Sequence, residues 1–174
     1  VPANMPISFQ PLDAEGKAVQ LMRSWSTAMP GENPSCIGCH EQQNTVPLAK
    51  TTIAARKMPS EITPWYEPAR GFSFRREVEP VVDAYCTDCH DSDQNDAPKI
   101  DDAYMFLRRF VRTPTIEPDM HPLYPYEYHV DTTELVRMLQ MGHHGVELND
   151  EAWDRIITWI DLNTPAHGTW VDIC

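Results

Sequence analysis

The chain has little basic charge and no long apolar run. Of its 174 residues, 14 are lysine or arginine and 26 are aspartate or glutamate, so the formal net charge is −12. Binding to nucleic-acid phosphates needs a basic surface, and we therefore expect no nucleic acid as a partner. No apolar stretch approaches the roughly 20 residues that a membrane-spanning helix requires. We therefore expect no membrane span in this chain.

Glycine and cysteine are also scarce. Seven glycines against sixteen prolines favour irregular, extended connections between short elements. Four of the five cysteines fall in two copies of one pattern, in the stretches GENPSCIGCHEQQ and DAYCTDCHDSD. The fifth, Cys174, has no predicted role. Val1 is not an initiator methionine, so we expect a processed chain or a piece of a longer protein.

The repeated pattern is Cys-x-x-Cys-His, the attachment signature of c-type haem. The two thiols add to the vinyl groups of the porphyrin, and the adjacent histidine binds the iron. We therefore predict two covalently bound haems c. Their attachment and proximal residues are Cys36, Cys39 and His40 for the first haem, and Cys86, Cys89 and His90 for the second. A single four-cysteine zinc site and two structural disulfides are the alternatives, but both leave the histidines unexplained.

The sixth ligand of each iron decides function, because a second protein ligand favours electron transfer and an open position favours chemistry on a small molecule. For the second haem we predict His143 or His144, in MLQMGHHGVELND, with a slight preference for His143. In small cytochrome c folds the distal ligand lies in such a loop. For the first haem the candidates are His121 and His129, with the Met29 thioether as an alternative.

The periodicity predicts a mainly α protein with an N-terminal β-hairpin. Residues 6–23 alternate apolar and polar side chains around the turn DAEGK. Helical spacing appears in four later stretches, with Pro80 in the first turn of its helix, a capping box from Asp131 to Glu134, and an N-cap at Asn149 or Asp150. We expect two units: residues 1–67, a smaller irregular haem-binding segment with the hairpin, and 68–174, a cytochrome c-like helical domain.

A weak calcium pattern follows the second motif. Asp91, Asp93, Asn95 and Asp102 match loop positions 1, 3, 5 and 12 of a calcium site. The required glycine is replaced by Asp96, and the final glutamate by an aspartate. An acidic loop without calcium is therefore the favoured interpretation.

Three stretches resemble a known family. MRSWSTAMPGENPSCIGCHEQQ, PWYEPARGFSFRREVEPVVDAYCTDCH and YHVDTTELVRMLQMGHHGVELNDEAWDRIITWIDLNTPAHGTW are similar to the C-terminal dihaem region of the hydrazine synthase alpha subunit and related multidomain cytochromes. The resemblance implies export, two haems and redox work. In that subunit a tyrosine four residues beyond the motif histidine displaces the histidine from the iron. Here that position is Asn44, so hydrazine synthesis does not carry over.

These observations predict an electron-transfer module of a larger exported redox protein, periplasmic or extracellular. Its partner is a redox protein or a fused domain. The alternatives are a haem enzyme acting on a small nitrogen or oxygen species, like the hydrazine synthase site, and a haem-based sensor.

Overall fold

The computed structural model describes residues 2–22, 24–34, 44, 51, 53–91, 96–113 and 123–169. The chain divides into two compact units, Val1–Ile7 with Trp25–Ala69 and Ser8–Ser24 with Arg70–Cys174. The sequence predicts residues 8–24 in the first segment, whereas the structure groups them with the second unit. The division into a first haem segment and a cytochrome c-like domain stays a prediction.

The first unit has little regular structure in its described part. Ile7 and Ser26 form an isolated antiparallel bridge with two hydrogen bonds of 2.9 Å. A short 3-10 helix spans Ala54–Arg56, and the rings of Trp65 and Tyr66 meet edge to face at 4.4 Å. The proline content of this stretch is consistent with such irregular backbone.

The second unit is helical, and all four predicted helical stretches contain helices. The helices are α1 Phe74–Glu77, α2 Glu79–Tyr85, α3 Thr87–His90, α4 Ala103–Arg108, α5 Glu134–Gln140 and α6 Asp150–Asp161. Two 3-10 helices span Val130–Thr132 and His143–Gly145. The first predicted helix is divided at Val78, which leaves Pro80 in the first turn of α2, where a missing N–H costs nothing. None of the described helices has the length and apolar character needed to cross a membrane.

Polar caps determine where α5 and α6 begin. The Asn149 side chain accepts a hydrogen bond of 2.8 Å from the Ala152 N–H, as predicted. The predicted cap of α5 at Asp131 is wrong, because Asp131 lies in the preceding 3-10 helix. The cap is Thr133, whose hydroxyl accepts from the Val136 N–H. Gly142 follows α5 with a φ of 80°, the left-handed conformation expected of a glycine helix terminator.

The core of the second unit is built around Trp159. This side chain is fully buried and packs edge-on against Phe74 of α1 at 5.1 Å and Tyr104 of α4 at 6.1 Å. Its indole N–H donates to the Pro165 carbonyl at 3.2 Å, and the Tyr104 hydroxyl donates to the Thr164 carbonyl at 3.0 Å. The ring contacts join α1, α4 and α6. The two hydrogen bonds satisfy the polar groups of both aromatic side chains within the core.

Within the described part of residues 6–23, the predicted hairpin is present as a single isolated bridge. In the second unit Leu12 pairs with Ala18 around a turn in which the Asp13 N–H donates to the Lys17 carbonyl at 2.8 Å. The segment is held on the helical unit by polar contacts. The Ala18 N–H donates to Asp161 Oδ2 at 2.8 Å, and Lys17 pairs with Asp131 at 2.7 Å. Asp161 is therefore the buried acid beneath this turn.

Asp161 should make the stability of this unit dependent on pH. Burial raises the pKa of Asp161 to about 6, although the Ala18 N–H lowers it in part. For an acid with a raised folded pKa, the stabilisation is complete below the unfolded value of 3.8 and is lost as pH rises through 6. We expect the free energy of unfolding to fall by about 2 kcal/mol between pH 4.5 and 7 from this group.

Urea unfolding of the variants Asp161→Asn and Asp83→Asn at pH 4.5 and 7 measures this effect. Asp83 is exposed, so Asp83→Asn should show the same decrease in the free energy of unfolding between pH 4.5 and 7 as the wild type. In Asp161→Asn this decrease should be smaller by about 2 kcal/mol. Parallel pH profiles for the two variants would contradict the assignment.

Candidate functional site

A cavity of about 470 Å³ lies beside the second Cys-x-x-Cys-His motif. Its wall is formed by the end of α2, by α3, by the segment after the motif, and by the region where α5 runs into the following 3-10 helix. The lining residues are Tyr85, Cys86, Cys89, His90, Asp96, Ala97, Pro98, Leu139, His143, His144 and Val146. This volume is in the range of sites for cofactors and other small molecules.

Helical geometry places the three motif side chains together. The backbone N–H groups of Cys89 and His90 both bond to the Cys86 carbonyl, at 3.2 and 3.0 Å. Residues three and four apart lie on one face of a helix, so both thiols and the imidazole face the same cavity. Cys86 and Cys89 are free thiols, the first half-buried and the second exposed. Burial, with a smaller effect of Cys89, raises the pKa of Cys86, which keeps it a thiol at neutral pH.

His90 is oriented by a backbone carbonyl. Its Nδ1 lies 2.7 Å from the Pro98 carbonyl oxygen, and because a carbonyl can only accept, Nδ1 carries the proton and donates it. The lone pair of Nε2 is therefore available to a metal. The Phe106 ring of α4 packs edge-on against the imidazole at 5.6 Å. A hydrogen bond to a carbonyl is the usual second contact of a metal-binding histidine.

The His143 ring is stacked nearly parallel to the His90 ring. The centroids of the two rings are 6.1 Å apart and their planes differ by only 15°. Two imidazoles on opposite sides of one metal atom have centroids about 6.2 Å apart, since each metal–nitrogen bond is about 2.0 Å and each nitrogen lies about 1.1 Å from its ring centre. Burial, with His144 and His90, lowers the pKa of His143. This favours the neutral imidazole, which is the form that binds metals.

Of the other candidate ligands in the second unit, His144 lies at the cavity and His129 does not. His144 lines the same cavity and contacts His143 edge to face at 4.8 Å. His129 is buried and does not line the cavity. Its Nε2 lies 3.2 Å from Asp13 Oδ2, and its Nδ1 accepts from the Asp131 N–H at 3.3 Å. Iron binding by His129 would break one of these hydrogen bonds, and its predicted role as a ligand stays a prediction.

The first haem site cannot be built from the described residues. Cys36, Cys39, His40 and His121 all lie outside them. Met29 is described and is 63% exposed, with its backbone N–H bonded to Glu32. Asn44 is an exposed turn residue. The assignments at the first motif therefore stay predictions.

The calcium pattern is only partly described, since Asp93 and Asn95 lie outside the described residues. Asp102, its last position, caps α4 by accepting from the Met105 N–H at 2.9 Å. Within the described part of the chain, no group of three or more histidine, cysteine or acidic side chains is arranged to hold a metal ion. The Asp102 carboxylate thus has a structural role at the start of α4.

Comparison with known proteins relates one end of the chain to a family. Residues 1–41 match the family model described as the hydrazine synthase alpha subunit middle domain. The match ends one residue after His40, so it includes the first Cys-x-x-Cys-His motif. It relates the chain to hydrazine synthase through a middle domain, whereas the sequence analysis drew the resemblance to a C-terminal dihaem region. Searches of curated proteins and of solved structures gave no significant match.

The residues at the second motif fit a haem c. A porphyrin supplies four nitrogen ligands to its iron, so the protein needs to provide only the two axial ones. His90 and His143 are spaced for this, and Cys86 and Cys89 lie beside them at the cavity wall. A haem needs no cluster of three protein ligands, in contrast to zinc.

The residues that orient His90 and form the apolar wall of the cavity were not predicted from the sequence. Pro98 and Phe106 orient His90, and Leu139 and Val146 contribute apolar wall. Pro98 follows the motif histidine by eight residues, across an acidic loop that carries no periodic signal. Phe106 lies within a predicted helix, but its contact with the His90 ring depends on how α3 and α4 pack.

Proposed function

We propose that this chain is a dihaem c-type cytochrome module that transfers electrons within a larger exported redox protein. The observation that carries the proposal is the pair His90 and His143, which face each other with a centroid spacing of 6.1 Å. Two protein ligands would occupy both axial positions of the iron, and a site closed in this way favours electron transfer over chemistry on a small molecule.

Each residue of the site then has a defined task. Cys86 and Cys89 would hold the porphyrin edge, and the hydrogen bond from His90 Nδ1 to the Pro98 carbonyl would leave Nε2 of His90 free to bind the iron. Leu139 and Val146 form apolar wall of the cavity and limit the access of water. The haem, when bound, cycles between ferric and ferrous iron. The chain would contribute two imidazole ligands, so the iron would stay six-coordinate in both oxidation states.

The first haem, the location and the partner complete the proposal. Cys36, Cys39 and His40 repeat the same motif and would hold a second haem c. The match over residues 1–41 supports membership of a multidomain redox protein related to hydrazine synthase, with a fused domain or a redox partner protein as electron donor or acceptor. The periplasm or the extracellular space is the proposed location, which agrees with the export implied by the family resemblance.

The stoichiometry of covalent haem tests the proposal. The chain produced in a host that attaches haem c should carry two haems after acid–acetone extraction, as read from its intact mass. The reduced protein should be low-spin and bind carbon monoxide slowly. A haem-free protein containing zinc would refute the proposal. Rapid carbon monoxide binding at one haem per chain would instead favour a haem enzyme at that site.

A further inference from the structure

We infer that His144 is a second, interchangeable axial ligand of the haem held by Cys86 and Cys89. In this inference, which rests on the proposed function, the loop Gly142–Gly145 can direct either the His143 or the His144 imidazole to the iron. His144 would thus keep the iron six-coordinate whenever His143 leaves it.

Both histidines belong to the same cavity. His143 and His144 line it together, and their rings touch edge to face at 4.8 Å. His143 is half-buried and faces His90, whereas His144 is exposed at the rim. The His144 imidazole is therefore in direct contact with the His143 imidazole, which faces His90.

The backbone of the loop is suited to such an exchange. Gly142 and Gly145 flank the two histidines with φ values of 80° and 82°, and a Cβ at either glycine would meet no atom within 4 Å. His144 itself has a φ of 48° and a ψ of 29°. This left-handed conformation is strained in a residue with a side chain, and such strain is typical of segments with two arrangements.

The ends of the loop are held by the two flanking helices, and its middle is closed by turn hydrogen bonds. On one side α5 ends with the Gly142 N–H bonded to the Leu139 carbonyl at 3.0 Å. On the other side Asn149 caps α6. Between them, two turn hydrogen bonds join Gly145 to Gly142 and Val146 to His143. A change confined to His143 and His144 would break these two turn hydrogen bonds, exchange the ring that faces His90 and release the strain at His144.

The test uses the holoprotein and the variants His143→Ala, His144→Ala and the double replacement. We expect both single variants to keep the second haem low-spin and closed to carbon monoxide. The double variant should lose the low-spin signal of one of its two haems and bind carbon monoxide there. Added imidazole should restore the low-spin spectrum. His167→Ala is the control, since His167 is exposed and lies outside the cavity wall.

Each other outcome overturns the inference. If His143→Ala alone opens the site, His144 is not a ligand; if His144→Ala alone opens it, the two are not interchangeable. If the double variant stays low-spin, neither histidine binds the iron. Met141 is 81% exposed nearby, so near-infrared magnetic circular dichroism must show histidine rather than methionine ligation in His143→Ala. A protein without covalent haem would refute the proposed function itself.

Discussion

Replacement of Glu77 by glutamine is expected to lower the free energy of unfolding of the second unit by about 3–5 kcal/mol. Glu77 is 1% exposed and lies among three arginines. Its carboxylate accepts from Arg70 at 2.8 and 3.0 Å, from Arg76 at 2.8 Å and from Arg155 at 2.5 Å. Loss of the negative charge leaves the guanidinium groups without their shared partner, and the side chains of Arg70 and Arg155 are only 24% and 18% exposed.

The titration of Glu77 provides a second measure of the same interaction. Burial raises the pKa of Glu77, but hydrogen bonds from Arg70, Arg76 and Arg155 outweigh it and lower the pKa to about 2. An acid with a lowered folded pKa stabilises the fold above its unfolded value of 4.5, and this stabilisation is lost as pH falls through 2. The variant Glu77→Gln should lack this acid-induced loss.

The control is Glu79→Gln, two residues further along the chain. Glu79 pairs with Arg75 at 3.9 Å, and the Arg75 side chain is 92% exposed. An exposed pair of this kind contributes at most about 1 kcal/mol. Urea unfolding followed by helical circular dichroism compares the two variants at pH 7. Equal unfolding free energies for Glu77→Gln and Glu79→Gln would show that the arginines around Glu77 find other partners.

Local patterns were sufficient to predict much of the helical unit. The Asn149 cap, the break at Gly142 and the position of Pro80 depend on interactions within one turn of chain, and all three are present. The candidate site at the second motif follows the same logic. Cys86, Cys89 and His90 lie within one helical turn, so their common face is a property of the local sequence.

Other features depend on contacts between distant segments. In the sequence, Glu77 is indistinguishable from an exposed polar residue of a helix. In the structure it is buried and paired with Arg155, which lies 78 residues later. Asp161 is the last residue of an amphipathic helix and becomes a buried acid only because residues 8–24 fold over it. Asp131 matched a capping box, but the hydroxyl of Thr133 caps the helix instead, and Asp131 pairs with Lys17. Sequence periodicity contains no information on such pairs.

The replacement of both Cys86 and Cys89 by serine is expected to halve the covalent haem, from two per chain to one. Serine forms no thioether with a vinyl group, whereas His90 and His143 can still hold a haem without a covalent bond. Acid–acetone extraction removes a haem held in that way, so the intact mass afterwards counts covalent attachment alone. The matched control is the pair Cys36→Ser and Cys39→Ser, which should also leave one covalent haem per chain.

The two serine variants should differ in the stability of the helical unit. Loss of the haem from the cavity beside α3 would expose the partly buried Tyr85 and Leu139, which pack against the core of the second unit. After extraction of the non-covalent haem, we expect the free energy of unfolding of the Cys86/Cys89 variant to be about 3 kcal/mol lower than that of the wild type. This loss is similar to that from truncating a large core side chain. The Cys36/Cys39 variant should keep the wild-type helical transition in urea. If both variants destabilise the helices equally, the cavity beside His90 is not where the second haem lies.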